Sequence, residues 1–285
     1  MIIAVASGKG GTGKTTVSTN LALALSSTHR VQYLDCDVEE PNGHIFLKPQ
    51  IESTAVVTTP VPVIDESKCT VCGKCKDICR YNAIVLLGKS VLTFPELCHG
   101  CGGCSLVCPT GALIETQREI GFIEQGRAGD IMFVNGMLNI GEVLSPLVIK
   151  YVKERIDDDS IAIIDVPPGT SCPVVEAVKG TDYVVLVTEP TPFGVNDLKL
   201  AVDMLKALNL PFGVVVNRAD AGDEAVFDYC RGESIEILMK IPDDRRIAQA
   251  YSRGEMAVCA VPECRAQFTD LAAAIKGKFD EYCGN

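Results

Sequence analysis

The chain has 285 residues, of which 47% are hydrophobic and 22% charged, so it can bury a sizeable core and is not a disordered segment. Its formal net charge of −11 argues against a general DNA or RNA binder, which needs a basic surface to displace counterions, and against attachment to an anionic membrane surface. No apolar run approaches the roughly 20 residues of a membrane span, and the opening MIIAVAS lacks the basic start of a secretory signal. A cytoplasmic protein with no membrane anchor and no nucleic-acid partner is expected. Disulfides are rare in that compartment, so the 14 cysteines are read as ligands, reactive thiols or small core residues.

In chain order, the apolar run Ile2–Ala6 reads as a buried strand, followed by a glycine loop and a helical segment over Thr15–Leu25. Val31–Leu34 reads as the next strand. From about Thr59 to Gln117 the chain is rich in Cys and Gly and carries no long helical pattern. Strands resume at Ile131–Val134, Ile161–Ile164, Tyr183–Val187, Phe212–Val216 and Ile235–Met239, with helices at Val143–Ile156, Val195–Leu208 and Gln267–Tyr282. Strand–helix alternation of this kind implies an α/β fold, a mostly parallel sheet flanked by helices. The expected organisation is a nucleotide-binding domain in two parts, residues 1–58 and 119–285, interrupted by a small domain over 59–118.

The glycine loop GKGGTGKT, Gly8 to Thr15, fits the G-x-x-x-x-G-K-[ST] pattern between a strand and a helix. Its glycines let backbone N–H groups turn inward around phosphate oxygens, and the helix N-terminus adds a favourable field. The expected phosphate-binding set is Gly8, Lys9, Gly10, Gly11, Thr12, Gly13, Lys14, Thr15 and Thr16. Lys14 should reach the β- and γ-phosphates of ATP, and Thr15 should offer its hydroxyl to Mg²⁺.

The cysteine-rich stretch repeats itself. Cys69, Cys72, Cys75 and Cys79 recur 29 positions later as Cys98, Cys101, Cys104 and Cys108, and YNAIVL at Tyr81 aligns with TGALIE at Thr110. Each run is C-x2-C-x2-C-x3-C, the spacing of bacterial two-cluster ferredoxins, in which the fourth cysteine of each run ligates the other [4Fe–4S] cube. This resemblance assigns one cluster to Cys69, Cys72, Cys75 and Cys108 and a second to Cys98, Cys101, Cys104 and Cys79, in a ferredoxin-like α+β domain. Gly73, Gly100, Gly102 and Gly103 allow backbone to approach the cubes closely. Zinc is the alternative, but zinc ribbons lack the third cysteine and the trailing x3-C in duplicate. One departure is visible: Cys108 precedes Pro109 as the pattern wants, while Cys79 precedes Arg80. His99, between two ligands, is read as an exposed neighbour. Six Lys/Arg and five Asp/Glu fall between Thr59 and Arg118, so the acidity belongs to the rest of the chain.

With Lys9 in second place, KGGTGKT resembles the deviant Walker A loop of the Mrp/MinD/ParA and nitrogenase iron protein family. The resemblance implies that Lys9 crosses to the nucleotide of a partner subunit, hence a homodimer or a heterodimer with a related ATPase. It further implies that Asp37, in YLDCDVEEPN, positions the attacking water, and that Asp165 and Gly169, in IAIIDVPPGT, form a second switch whose aspartate holds Mg²⁺ through water. Asn217 and Arg218, in VVVNRAD, would face the adenine, with Pro242 and Asp243, in KIPDD, nearby. Cys172 lies seven residues after Asp165, a separation at which the nitrogenase iron protein places a bridging-cluster ligand. The second cysteine that such a site needs is missing here between Cys108 and Cys172. Cluster-carrying relatives of Mrp type have a C-terminal C-x-x-C, for which this chain offers only the looser Cys259 and Cys264 pair; Cys36, Cys230 and Cys283 are read as core residues.

The expected function is an ATP-binding and hydrolysing dimeric switch carrying two [4Fe–4S] clusters that couples nucleotide state to electron transfer with a redox partner. A cluster carrier that delivers to apo-proteins is the first alternative, and a positioning ATPase with structural clusters is the second.

Overall fold

The computed structural model describes residues 1–283, with side chains through Phe279. In chain order the elements are β1 (Ile2–Ala6), α1 (Lys14–Ser26), β2 (Val31–Asp35), α2 (Gly43–Leu47), β3 (Gln50–Ile64), α3 (Lys74–Ile78), β4 (Ile84–Leu87), β5 (Ser90–Thr93), α4 (Gly103–Leu106), β6 (Leu113–Ala128) and β7 (Ile131–Leu138). There follow α5 (Ser145–Lys153), β8 (Ile161–Asp165), α6 (Cys172–Val178), β9 (Tyr183–Thr188), α7 (Pro192–Ala207), β10 (Phe212–Val216), α8 (Ala225–Gly232), β11 (Ile237–Lys240), α9 (Arg245–Ser252), α10 (Ala257–Ala260) and α11 (Pro262–Cys283).

Nine strands form one sheet in the order β11-β10-β9-β1-β8-β2-β7-β6-β3, and β4 and β5 form a separate antiparallel pair. The pairings from β11 through β7 are all parallel. Their apolar runs are continuous because helices cover both faces: every residue of β2 and β9 is buried. On one face, Val17, Leu21 and Leu25 of α1 join Phe268, Leu271 and Ile275 of α11 in one core cluster with Ile3, Val5 and Val185 of the strands. Among the described residues no helix is long and apolar enough to cross a membrane.

Two compact units are present. The first comprises residues 1–54, 123–137 and the chain from Ser145 onward; the second comprises 55–122 and 138–144. The chain leaves the first unit along β3 and returns along β6, neighbours at one edge of the sheet.

The seven apolar strands and four helices of the sequence reading all occur, with ends shifted by a few residues. α7 begins at Pro192 rather than Val195, because Thr191 caps it, its Oγ1 accepting the Gly194 N–H at 3.0 Å. α5 is shorter than Val143–Ile156 and starts at Ser145, immediately before Pro146. The long strands β3 and β6 are additions. Their outer stretches, such as Glu52–Thr54 and Glu115–Gln117, are polar and exposed, so they show no apolar run.

Asn20 ties the C-terminal part to α1. It is buried, donates to Thr16 O at 2.6 Å and accepts the Val258 N–H at 2.8 Å. Asn20→Ala would strand that amide, and urea unfolding should show a loss of about 1–3 kcal/mol.

Candidate functional site

The glycine loop leaves the carboxyl end of β1, where parallel sheets present their ligand sites. Gly11 and Gly13 have φ of 77° and 98°, left-handed conformations that glycine adopts at little cost. A Cβ at Gly10 or Gly11 would meet nothing within 4 Å, so the loop is open there. At Gly13 a Cβ would lie 2.6 Å from Asn217 Nδ2, and at Gly8 it would collide with the Asp197 backbone. Thr12 and Lys14 are buried, and Thr12 Oγ1 has no hydrogen-bond partner. Thr15 and Thr16 open α1, their carbonyls accepting from Thr19 and Asn20. Lys9 Nζ stands 4.0 Å from Glu189 Oε2 of the same chain.

Beside the loop, three carboxylates gather at the ends of β2 and β8. Asp35 and Asp165 are register partners across the two strands and are both fully buried. Burial pushes both carboxyls up, Asp35 well above the usual range with Asp165 as the next cause, while Lys14 opposes the rise at Asp165. Asp37, partly buried, is raised to about 6 by desolvation, against the pull of Lys14 and with added repulsion from Asp165. Asp35 spends its oxygens on the backbone, accepting from Asp37 N at 3.1 Å and Gly43 N at 2.8 Å. Asp165 accepts the Tyr33 hydroxyl at Oδ2 (2.9 Å), but its buried Oδ1 has no partner. The Asp165 carboxylate beside the P-loop hydroxyl of Thr15 offers the oxygen ligands that suit Mg²⁺, a hard cation that keeps several waters. Gly169, at φ 95°, donates its N–H to Ser7 O at 3.0 Å, which holds the segment after β8 against the start of the loop.

On the other side of the loop, Asn217 follows β10 and donates Nδ2 to Thr12 O at 2.9 Å, while its Oδ1 accepts the Arg218 N–H. Arg218 reaches Glu189 at 3.5 Å and Asp243 at 3.8 Å, and the Asp243 N–H is held by Asp220 at 2.6 Å. Asn217, Arg218 and Asp243 thus form a connected group beside the loop, and Pro242 follows β11 and accepts the Asp244 N–H at 2.9 Å. The amide of Asn217 already pins the loop.

The second unit holds the eight cysteines in two cavities. Cys69, Cys72, Cys75 and Cys108 line one, together with apolar Ile64 and Val91. Cys79, Cys98, Cys101 and Cys104 line the other, together with Tyr81 and His99. Each cavity therefore mixes three cysteines of one run with the last cysteine of the other. His99 is exposed and stacks on Tyr81, centroids 3.6 Å apart and 12° from parallel. The backbone repeats with the sequence: Val71, Gly73 and Asn82 have positive φ, and so do Gly100, Gly102 and Gly111, each 29 positions later. At Gly100 a Cβ would run into Thr59 Oγ1. Amides aim at sulfur, Gly100 N at Cys98 Sγ (3.4 Å) and Ala112 N at Cys108 Sγ (3.3 Å). Burial alone would raise the Cys108 thiol, but the N–H groups of Thr110 and Ala112 outweigh it and bring the thiol down to about 7. Among the described residues no three His, Cys, Asp or Glu side chains close on a single point as one metal ion requires. Four cysteine thiols line each cavity, soft donors in the number that an iron–sulfur cube takes.

A family model for the CobQ/CobB/MinD/ParA nucleotide binding domain matches residues 3–258. The chain belongs to this family. Uncharacterized protein MJ0579 of Methanocaldococcus jannaschii is 32% identical to this family member over 90% of each chain. The iron–sulfur cluster carrier protein of Pyrococcus horikoshii is 26% identical, covering 99% of this chain and 88% of its own. Among solved structures, the septum site-determining protein MinD of the same organism, complexed with Mg-ADP, matches with a TM-score of 0.61 at 20% identity, covering 96% of this chain and 95% of that one. At that identity the likeness establishes the MinD-like α/β fold.

Three side chains of the nucleotide-binding site went unread in the sequence. Asp35 is the other aspartate of the same D-x-D and holds the backbone at Asp37 and Gly43. Glu189 follows β9, at the same end of the sheet as the loop, and that position was its available signal. Tyr33 sits within an apolar run and gives no sign of polar work. Of the remaining cysteines, Cys36, Cys230 and Cys264 are buried, Cys172 and Cys259 are exposed, and the Cys283 side chain lies outside the described residues.

Val71, at φ 54°, is a β-branched residue where its repeat mate is Gly100. The left-handed region costs a non-glycine residue roughly 1–2 kcal/mol. Val71→Gly should therefore raise the unfolding free energy of the anaerobically purified protein by about 1 kcal/mol, after the entropy that glycine adds to the unfolded chain; chemical denaturation measures it.

Proposed function

We propose that the chain is an ATP-binding and hydrolysing switch, active as a dimer, whose inserted 59–118 module carries two [4Fe–4S] clusters and exchanges electrons with a redox partner under control of the nucleotide state. The observation that carries the reading is the sorting of eight cysteines into two cavities, each completed by the fourth cysteine of the opposite run. In this reading the thiolates of Cys69, Cys72, Cys75 and Cys108, and of Cys79, Cys98, Cys101 and Cys104, hold the two cubes, which when bound supply one-electron transfer. Backbone amides at Gly100 and Ala112 stabilise the sulfur charge.

In the nucleotide-binding unit, the loop amides and Lys14 hold the phosphates, Thr15 and Asp165 face Mg²⁺, and Asp37 orients water. Lys9 leaves Glu189 and enters a partner's site. The cation then stabilises charge on the transferring phosphoryl group. Cys69 lies only 32 positions after Asp37, and β3 carries the backbone from one unit into the other, which supports coupling between them.

Anaerobic reconstitution should give about eight iron and eight sulfide per chain, and Cys69→Ser or Cys98→Ser should each lower the iron content by about half. Zinc replacing iron as the sole bound metal would sink the reading. Lys14→Ala should abolish ATP binding. Lys9→Ala should keep binding while hydrolysis falls by on the order of 10³. Coupling is read by comparing the cluster potential and reduction rate with ADP and with a non-hydrolysable ATP analogue, where identical values would refute it.

A second reading, delivery of clusters to apo-proteins, is favoured by the likeness to the Pyrococcus carrier. Cluster transfer to an apo-ferredoxin that disappears in Lys14→Ala would decide for it.

A further inference from the structure

Tyr33 stands at the centre of the nucleotide-binding unit for reasons that packing alone does not explain. It lies on β2 with no exposed surface, its ring stacked on Phe133 at 5.9 Å and 7° from parallel. A phenylalanine would fill that place equally well. The hydroxyl is what is unusual, because burying one costs free energy unless it finds a partner. Here it donates to Asp165 Oδ2 at 2.9 Å and lies 3.3 Å from Ser18 Oγ, one turn along α1 from Lys14. The surroundings are shaped to admit it: a Cβ at Gly43 would come 2.5 Å from Tyr33 Cε1 and 2.7 Å from the hydroxyl. Gly43 is itself fixed by Asp35, which shares a strand face with Tyr33. Three elements, β2, α1 and α2, thus build one position for one phenol.

The consequence falls on Asp165. Its Oδ2 accepts from Tyr33, the Thr15 and Ser18 hydroxyls also favour the charged carboxylate, and the buried Oδ1 is left with no hydrogen bond of its own. We propose that Tyr33 is a positioning residue for the divalent cation of the nucleotide site, locking Asp165 in the rotamer that offers Oδ1 to Mg²⁺. This rests on the reading of the loop as a Mg²⁺–nucleotide site. A hydrogen bond that orients a carboxylate toward a metal typically governs affinity by 10–100-fold.

The test uses the full chain and ADP as probe, titrated with Mg²⁺ and in EDTA, with affinity as the readout. Tyr33→Phe keeps the ring, so its melting temperature should stay close to wild type. ADP affinity in Mg²⁺ should fall by about 10–100-fold while affinity in EDTA is unchanged. Tyr33→Leu, which removes the phenol altogether, should show the same split should the phenylalanine variant fold poorly. Asp165→Asn should lose Mg²⁺-dependent affinity too, and the double variant Tyr33→Phe/Asp165→Asn should lose no more than the aspartate variant alone. Wild-type affinity in Tyr33→Phe, an equal loss with and without Mg²⁺, or strictly additive effects would each overturn the proposal. Wild-type ADP binding that is indifferent to Mg²⁺ would also overturn it. In that case a loss of binding in Lys14→Ala would leave the phosphate loop standing, and retained binding would remove the nucleotide reading itself.

Discussion

Two negative charges are forced together in a dry place, and much of the nucleotide-binding unit is arranged around that fact. Asp35 and Asp165 face each other across adjacent parallel strands with no solvent to separate them. In such a medium like charges cannot both ionise cheaply. The fold answers with fixed dipoles and one cation: backbone amides for Asp35, a phenol and the Lys14 ammonium for Asp165. The buried Oδ1 of Asp165 keeps no hydrogen bond, which leaves a demand for positive charge at that spot.

The cysteine unit solves a different problem with backbone instead of charge. Sulfur donors three residues apart face one cavity only if the intervening chain turns sharply, and the turns are made by residues in left-handed conformations at matching points of both runs. The second run uses glycine at all three points; the first uses valine, glycine and asparagine. The same geometry is thus built from glycine alone in one copy and from mixed side chains in the other. The two cavities also differ in their walls, aliphatic around Cys69 and aromatic around Cys98.

Local pattern made a large part of this legible. The glycine loop, the strands that flank it and the doubled cysteine spacing are all short-range signals, and each is found where the sequence placed it. Tyr33 was hidden because a tyrosine in V-Q-Y-L reads as apolar filling, and only the three-dimensional meeting of β2 with β8 reveals its hydroxyl as a hydrogen-bond donor. Asp35 was overshadowed by Asp37, since both fit the same aspartate pair and only burial separates the anchoring one from the more exposed one. β3 and β6 escaped because their outer stretches are polar on both faces, as strands beyond a hydrophobic core can afford to be. Glu189, Arg218 and Asp243 come from three separate loops, and no spacing rule connects them.

The edge position of β3 and β6 has an architectural outcome. Because the two strands run side by side, the points of departure near Thr54 and of return near Ile123 are neighbours. The stretch 55–122 that carries the eight cysteines therefore begins and ends at adjacent points of one sheet edge, and the second unit also takes in residues 138–144.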